Sequence, residues 1–268
     1  MDPFLRLPQL QEYPEHIQLP TKDDILTRSG ALDELVAYFE QAGLLQYPPH
    51  CNVNDRRAQA FSYWRRMHVS DRESTINHFS DVEIRRALLQ SLQDFSRAMR
   101  TAVQEQERRL PTALAVAYNR ETNVYAFGAS VAGSKVRKPE QVEHRSVAYA
   151  GERWYQEMAQ EYQQERAENS LANRTVRHAP GNCAEWNTTR QVAGRSQTVY
   201  SMTMNTRTSA VMNWCDYCQT MVKNVIREYD GMVVHEYRDM EGKRRIHCWR
   251  DGTYHVEEYT GSQSSSGI

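Results

Sequence analysis

The chain has no uninterrupted apolar run near the roughly 18 residues that a membrane span requires, and its mean hydropathy is −0.78. No membrane is therefore expected among its partners. Net charge is almost absent, with 33 Lys plus Arg against 34 Asp plus Glu for a balance of −1. Without a global basic field, any contact with nucleic acid has to be made by a local patch. Cysteine is scarce: five residues, at positions 51, 183, 215, 218 and 248. So sparse and odd a set excludes a disulfide scaffold. With two of the five in a C-x-x-C pair, it points to a reducing intracellular compartment, cytoplasm or nucleus, and to a metal or redox site. The opening Met1-Asp2-Pro3-Phe4 lacks the basic stretch and apolar run of a secretory signal, so the N-terminus is expected to be unprocessed. What is present is ordinary globular material: 268 residues, 40% hydrophobic and 25% charged, enough for one large domain or two small ones.

Pro3, Pro8, Pro14 and Pro20 argue for an extended lead-in over residues 1 to about 24, because each lacks an N–H and restricts its neighbour. Leu32, Leu35, Val36 and Phe39 recur at helical spacing and Gly43 follows as a stop, which predicts a helix over Ala31–Ala42. Helices are also predicted over Asp55–His68 and Ser80–Arg109, the latter with Ile84, Leu88, Leu92, Phe95, Met99 and Val103 on one face. Pro111 ends this helical region, 1–110. Beyond it the pattern becomes a β-hairpin, Leu114–Tyr118 and Val124–Phe127 around the turn Asn119–Asn123. A second domain, 111–260, then continues with a helix from about Gly151, a helix over Cys183–Val192, a β-run over Thr198–Met204 and a helix over Cys215–Tyr229. Further β-runs follow at Met232–Tyr237, Arg245–Trp249 and Tyr254–Tyr259, and the Ser- and Gly-rich stretch 261–268 is expected to be a disordered tail.

Cys183-Ala184-Glu185 and Cys215-Asp216-Tyr217-Cys218 both fall where a loop enters a predicted helix. At a helix N-terminus the unpaired N–H groups and aligned dipoles favour negative charge, which lowers a thiol pKa and readies it as a ligand. Three such sulfurs suit zinc, one ion per chain. Three protein ligands leave an open corner for a water that zinc acidifies, whereas a structural site is closed by a fourth ligand. Glu185, two residues after Cys183, is placed to take that proton without being a ligand. Two alternatives stay open: Cys215 and Cys218 as a redox dithiol, or a closed structural zinc completed by His178 or Cys248. Cys51 and Cys248 otherwise read as buried free thiols.

These motifs, His178-Ala-Pro-Gly-Asn-Cys183-Ala-Glu185 and Asn213-Trp-Cys215-Asp-Tyr-Cys218, resemble the zinc-dependent nucleobase deaminase superfamily, and most of all its divergent toxin-type members with a G-N-C-A-E motif. The resemblance covers about residues 111–260. Cys183 stands where the superfamily pattern has His, and Trp214 where it has Pro. It implies a three-layer α/β/α cytidine-deaminase-like sandwich behind an N-terminal α-helical region. It also implies zinc on Cys183, Cys215 and Cys218, and Glu185 shuttling protons to a leaving amine. Asn123 would contact the sugar, a role for which Asn119 competes. His178 could line the pocket, and Trp186, Trp214 and Tyr217 could stack on an extruded base. Each of these also has a structural reading, as a turn Asn, a loop His or core aromatics.

Residues 171–227 hold seven basic side chains (Arg174, Arg177, Arg190, Arg195, Arg207, Lys223, Arg227) and two acids (Glu185, Asp216), a selectively basic neighbourhood that Arg137, Lys138 and Lys243-Arg244-Arg245 could extend. Such charge favours a polynucleotide. Cytosine in single-stranded DNA is the favoured substrate, since unstacking a base from duplex is costly. Duplex DNA, RNA, adenine and a free nucleoside are alternatives, as is a non-enzymatic zinc-stabilised nucleic-acid-binding module. The first 110 residues carry 14 basic and 16 acidic side chains, so they do not read as a DNA-binding arm. They suggest a helical layer on the sheet or a module for a protein partner. Toxin-type relatives add the alternative of a secreted effector acting inside a target cell.

Overall fold

The structure, a computed structural model, describes residues 19–45, 52–69, 80–103, 110–130, 160, 164, 183–215, 218–219, 231–239, 241–250 and 253–258. The predicted helices from Gly151 and over Cys215–Tyr229, and the tail 261–268, fall wholly or largely outside these residues. The first element corrects the sequence reading of an extended lead-in to about residue 24: α1 spans Lys22–Thr27. Its nucleus is a capping box, in which the Thr21 hydroxyl accepts from the Asp24 N–H (3.2 Å) and the Asp24 carboxylate accepts from the Thr21 N–H (2.9 Å).

Helix α2 (Ala31–Gln41) ends before Gly43, whose φ of 68° is the left-handed stop that glycine supplies. Helix α3 spans Val53–Val69 and α4 Asp81–Val103. Ser80 and Glu83 form a second capping box at the start of α4, and the predicted stripe from Ile84 to Val103 is buried. No helix among the described residues is long and apolar enough to cross a membrane.

The fold is mixed α/β. Strands β1 (Ala113–Asn119), β2 (Val124–Ala129), β3 (Thr198–Asn205), β4 (Val211–Met212), β5 (Met232–Arg238), β6 (Arg244–Arg250) and β7 (Thr253–Glu258) form one sheet. Its order is β2-β1-β3-β5-β6-β7, with the short β4 also on β3. The β3–β5 pairing is parallel and the others are antiparallel. A parallel neighbour requires a crossover, and the stretch between β3 and β5 contains the C-x-x-C motif.

Strand parity sorts the core. Leu114, Val116, Tyr118, Phe127, Tyr200, Met202 and Val234 join residues of α1–α4 in one continuous hydrophobic cluster. Its centre is an aromatic triad from α3, α4 and β2, with Phe61–Phe127 centroids 4.8 Å apart, Phe61–Phe95 5.0 Å and Phe95–Phe127 5.1 Å. Burying each such ring contributes about 1.5–3 kcal/mol. An ion network adds a polar tie on this face: Arg85 of α4 meets Glu236 of β5 at 2.9 Å, and Arg244 of β6 meets the other Glu236 oxygen at 2.5 Å.

The alternate residues of the same strands, Ala117, Ala126, Val199 and Val233, face a second cluster containing Cys183, Trp186, Trp214 and Cys218. Helix α5 (Ala184–Val192) lies here. It comes close because most of the side chains that β1 and β2 place on this face are small, Ala113, Ala115, Ala117, Ala126 and Gly128. At Gly128 a Cβ would stand 2.7 Å from the Ala184 carbonyl oxygen, so only glycine fits.

Candidate metal centre

Cys183 is the N-cap residue of α5, extended at φ −73° and ψ 147°, and Glu185 lies in the first turn. The other two sulfurs arrive by the β3–β4 connection. Asn205 folds that turn, its side-chain oxygen accepting from the N–H groups of Arg207 (2.9 Å) and Thr208 (3.2 Å). The chain then passes through β4 to Trp214 and Cys215. The Gln219 N–H donates to the Cys215 carbonyl at 3.0 Å, the bond of a helical turn, while the Gln219 amide donates to the Trp214 carbonyl at 3.1 Å. One such turn puts residues three apart on one side, so Cys215 and Cys218 face the same way.

The Sγ atoms of Cys183, Cys215 and Cys218 all lie within 4.8 Å of one another, and Cys183 and Cys215 are 3.4 Å apart. A tetrahedral site with metal–sulfur bonds near 2.3 Å requires sulfurs about 3.8 Å apart, so the three are spaced to hold a metal ion. Glu185 is buried at 4% exposure and its Oε2 stands 3.8 Å from the Cys218 sulfur, beside the three-cysteine set without belonging to it.

Both buried thiols titrate high, contrary to the lowering that a helix N-terminus alone predicts. Contact with Cys215, followed by burial and the Glu185 charge, pushes the Cys183 thiol up, and burial together with the two other cysteines pushes Cys218 up. Three sulfurs and a carboxylate crowd one desolvated spot, and a cation held there would offset the repulsion that the helix dipole cannot.

The remaining predicted residues are dispersed. Trp186 and Trp214 are packed in the cysteine cluster, at 2% and 3% exposure, and present little free ring surface. Asn123 sits at φ 55° and accepts a hydrogen bond from the Tyr118 hydroxyl at 3.1 Å. The Tyr118 ring belongs to the α1–α4 side of the sheet, so this bond draws Asn123 away from the cysteines. Asn119 is committed to structure: its amide donates to the Val192 carbonyl and to Gln197, each at 2.6 Å, and its oxygen accepts from the N–H groups of Glu121 and Thr122. His178 and Tyr217 lie outside the described residues. Cys248 packs against the α1–α4 cluster, on the wrong face to complete the metal set.

The basic neighbourhood is thinner than expected at one place. Lys243, Arg244 and Arg245 are each matched with an acid, Glu241, Glu236 and Asp239 respectively, because the β5–β6 hairpin carries its own counter-charges. Arg195 and Arg207 are exposed. Arg137, Lys138, Arg174, Arg177, Lys223 and Arg227 lie outside the described residues.

Two residues that shape the site escaped the sequence reading. Gly128 sets the approach of α5, and His235, buried on β5, lies with its ring centroid 4.7 Å from that of Trp214. His235 falls on the cysteine-facing parity of its β-run, which is the one signal that could have marked it. No protein-family model matches the chain, and no curated protein or solved structure matches it significantly.

Proposed function

We propose that this protein is a zinc-dependent hydrolase that deaminates a nucleobase, with cytosine in single-stranded DNA as the favoured substrate. On this reading the sheet, with α1–α4 on one face and α5 on the other, is a three-layer cytidine-deaminase-like sandwich. The observation that carries the proposal is a buried carboxylate next to three convergent sulfurs, Glu185 Oε2 lying 3.8 Å from Cys218 Sγ. Cys183, Cys215 and Cys218 would hold zinc, which supplies the Lewis-acid chemistry that makes a water acidic near neutral pH. Glu185 would take a proton from water on its carboxylate and deliver it to the exocyclic amine, which leaves as ammonia while the ring carbon gains the water's oxygen. Burial of Glu185 excludes bulk water from this exchange. Trp186 and Trp214 pack in one cluster with Cys183 and Cys218 and wall the sulfurs. The exposed Arg195 and Arg207 supply sequence-independent contacts to a phosphodiester backbone.

The test is incubation of zinc-loaded protein with single-stranded DNA, duplex DNA and RNA containing all four bases, followed by sequencing. The expected result is C-to-T change confined to the single-stranded DNA, and Glu185→Gln should retain zinc but lose turnover. Full activity in Glu185→Gln would remove the mechanism. A second reading, a zinc-stabilised nucleic-acid-binding module without catalysis, is favoured by the low exposure of Trp186 and Trp214. It predicts that Glu185→Gln is silent, that no base changes in any oligonucleotide, and that Cys183→Ser unfolds the domain.

A further inference from the structure

We infer that His235 is a positioning residue for the metal centre, holding the short strand that delivers Cys215. The edge of β3 is shared by two partners. Strand β5 pairs with it from Thr198↔Met232 to Met202↔Glu236, and β4 takes over at Thr203↔Met212 and Met204↔Val211. The backbone ladder is therefore broken between Met202 and Thr203, and β4 is only two residues long. Two residues of pairing do not hold a strand in place unaided.

His235 stands across that seam. Its ring is completely buried, with Nδ1 3.2 Å from the Ser201 carbonyl oxygen on β3 and Nε2 3.2 Å from the Met212 carbonyl oxygen on β4. Its face lies 4.7 Å from the Trp214 ring at 40°. Met212 and Trp214 are three residues and one residue before Cys215, so the imidazole grips the approach to the ligand at two points. The Tyr237 ring lies nearly parallel to the imidazole, with centroids 6.2 Å apart at 12°, and Tyr237 in turn meets the buried His247 through its hydroxyl at 2.8 Å. The ring thus has two aromatic neighbours, Trp214 and Tyr237. A neutral imidazole carries one N–H, so it donates to one of these two carbonyls while its other nitrogen lies against the second, and a phenyl ring of similar shape can donate to neither.

This inference rests on the three cysteines binding a metal, and not on deamination. The test compares the natural protein with His235→Phe and His235→Gln at a temperature where all are folded. Cobalt(II) is titrated to read the thiolate-to-metal absorption, zinc affinity is measured by chelator competition, and melting is followed in excess chelator. Supports around a metal site commonly contribute 10–100-fold in affinity. The expected result is a loss of that size and an altered cobalt spectrum in His235→Phe. His235→Gln, which keeps an N–H donor but not the ring that meets Trp214, should lie between that variant and the natural protein. A His235→Phe protein with the natural spectrum and zinc affinity, whatever its melting temperature, overturns the assignment. If His235→Phe does not fold, natural affinity and spectrum in His235→Gln overturn it equally. Failure of the natural protein to bind either metal would instead strike the metal reading itself, and the inference with it.

Discussion

Gly128→Ala tests the packing that brings the first sulfur to the site. The new Cβ would stand 2.7 Å from the Ala184 carbonyl oxygen, 2.8 Å from Thr188 Cγ2 and 3.4 Å from Asn187 Cβ. Ordinary contact begins at 3.4 Å, so the first turn of α5 must retreat by roughly 0.7 Å, and two of the three obstacles belong to the helix backbone or a β-branched side chain that cannot swing aside. Overpacking of this kind costs about 1–3 kcal/mol. For a chain of this size each kcal/mol lowers Tm by about 2–4 °C. The same retreat carries Cys183 and Glu185 with it, whereas metal–ligand distances tolerate only about 0.2 Å. The substitution should therefore lower the melting temperature and also weaken zinc binding in chelator competition. Stability in urea with and without chelator separates the two effects. Natural Tm together with natural zinc affinity in Gly128→Ala would refute the close approach of α5 to β2.

Acid should destabilise the fold through its buried imidazoles. Burial pushes His235 down to about 3 and His247 to about 4, while unfolded histidine titrates near 6.5. Below pH 6.5 the unfolded chain therefore binds protons that the folded one refuses, and stability falls as pH drops through the window to about 4. The slope is about 1.4 kcal/mol per pH unit for each histidine, or roughly 4 kcal/mol for the pair by pH 5. Urea midpoints measured in chelator between pH 7 and 5 check this, and a flat profile would count against it. Glu236→Gln removes the carboxylate that Arg85 and Arg244 share, and should destabilise by about 3 kcal/mol in denaturant melts. A loss below about 0.5 kcal/mol would mean that the tie between α4 and the sheet is dispensable.

Much of the fold was legible because it follows periodicities that a sequence displays directly. The stripe from Ile84 to Val103 repeats at helical spacing and is buried as predicted, and the Asn119–Asn123 turn closes the β1–β2 hairpin. Helix α1 was hidden by the prolines that precede it, although the Thr21-x-x-Asp24 box was the available signal. Strand β4 was beyond reach, since two residues show no alternation. Asn123, a sugar contact or a turn residue on the sequence alone, bonds the hydroxyl of Tyr118, whose ring lies on the α1–α4 face, a partner set by strand parity and not by its place in a turn.

By itself, the sequence determined which chemistry was possible: three cysteines and a glutamate at two predicted helix starts, in a chain too poor in cysteine for a disulfide scaffold and with no apolar run long enough for a membrane-spanning helix. Only the tertiary structure decided that the three sulfurs converge within 4.8 Å, that Cys248 lies on the opposite face, and that the Lys243–Arg245 run is matched by acids. Residue type and local spacing are properties of one segment. A distance between Cys183 and Cys215 depends on the small side chains under α5, on the seam between β4 and β5, and on the pairing of strands far apart in the chain.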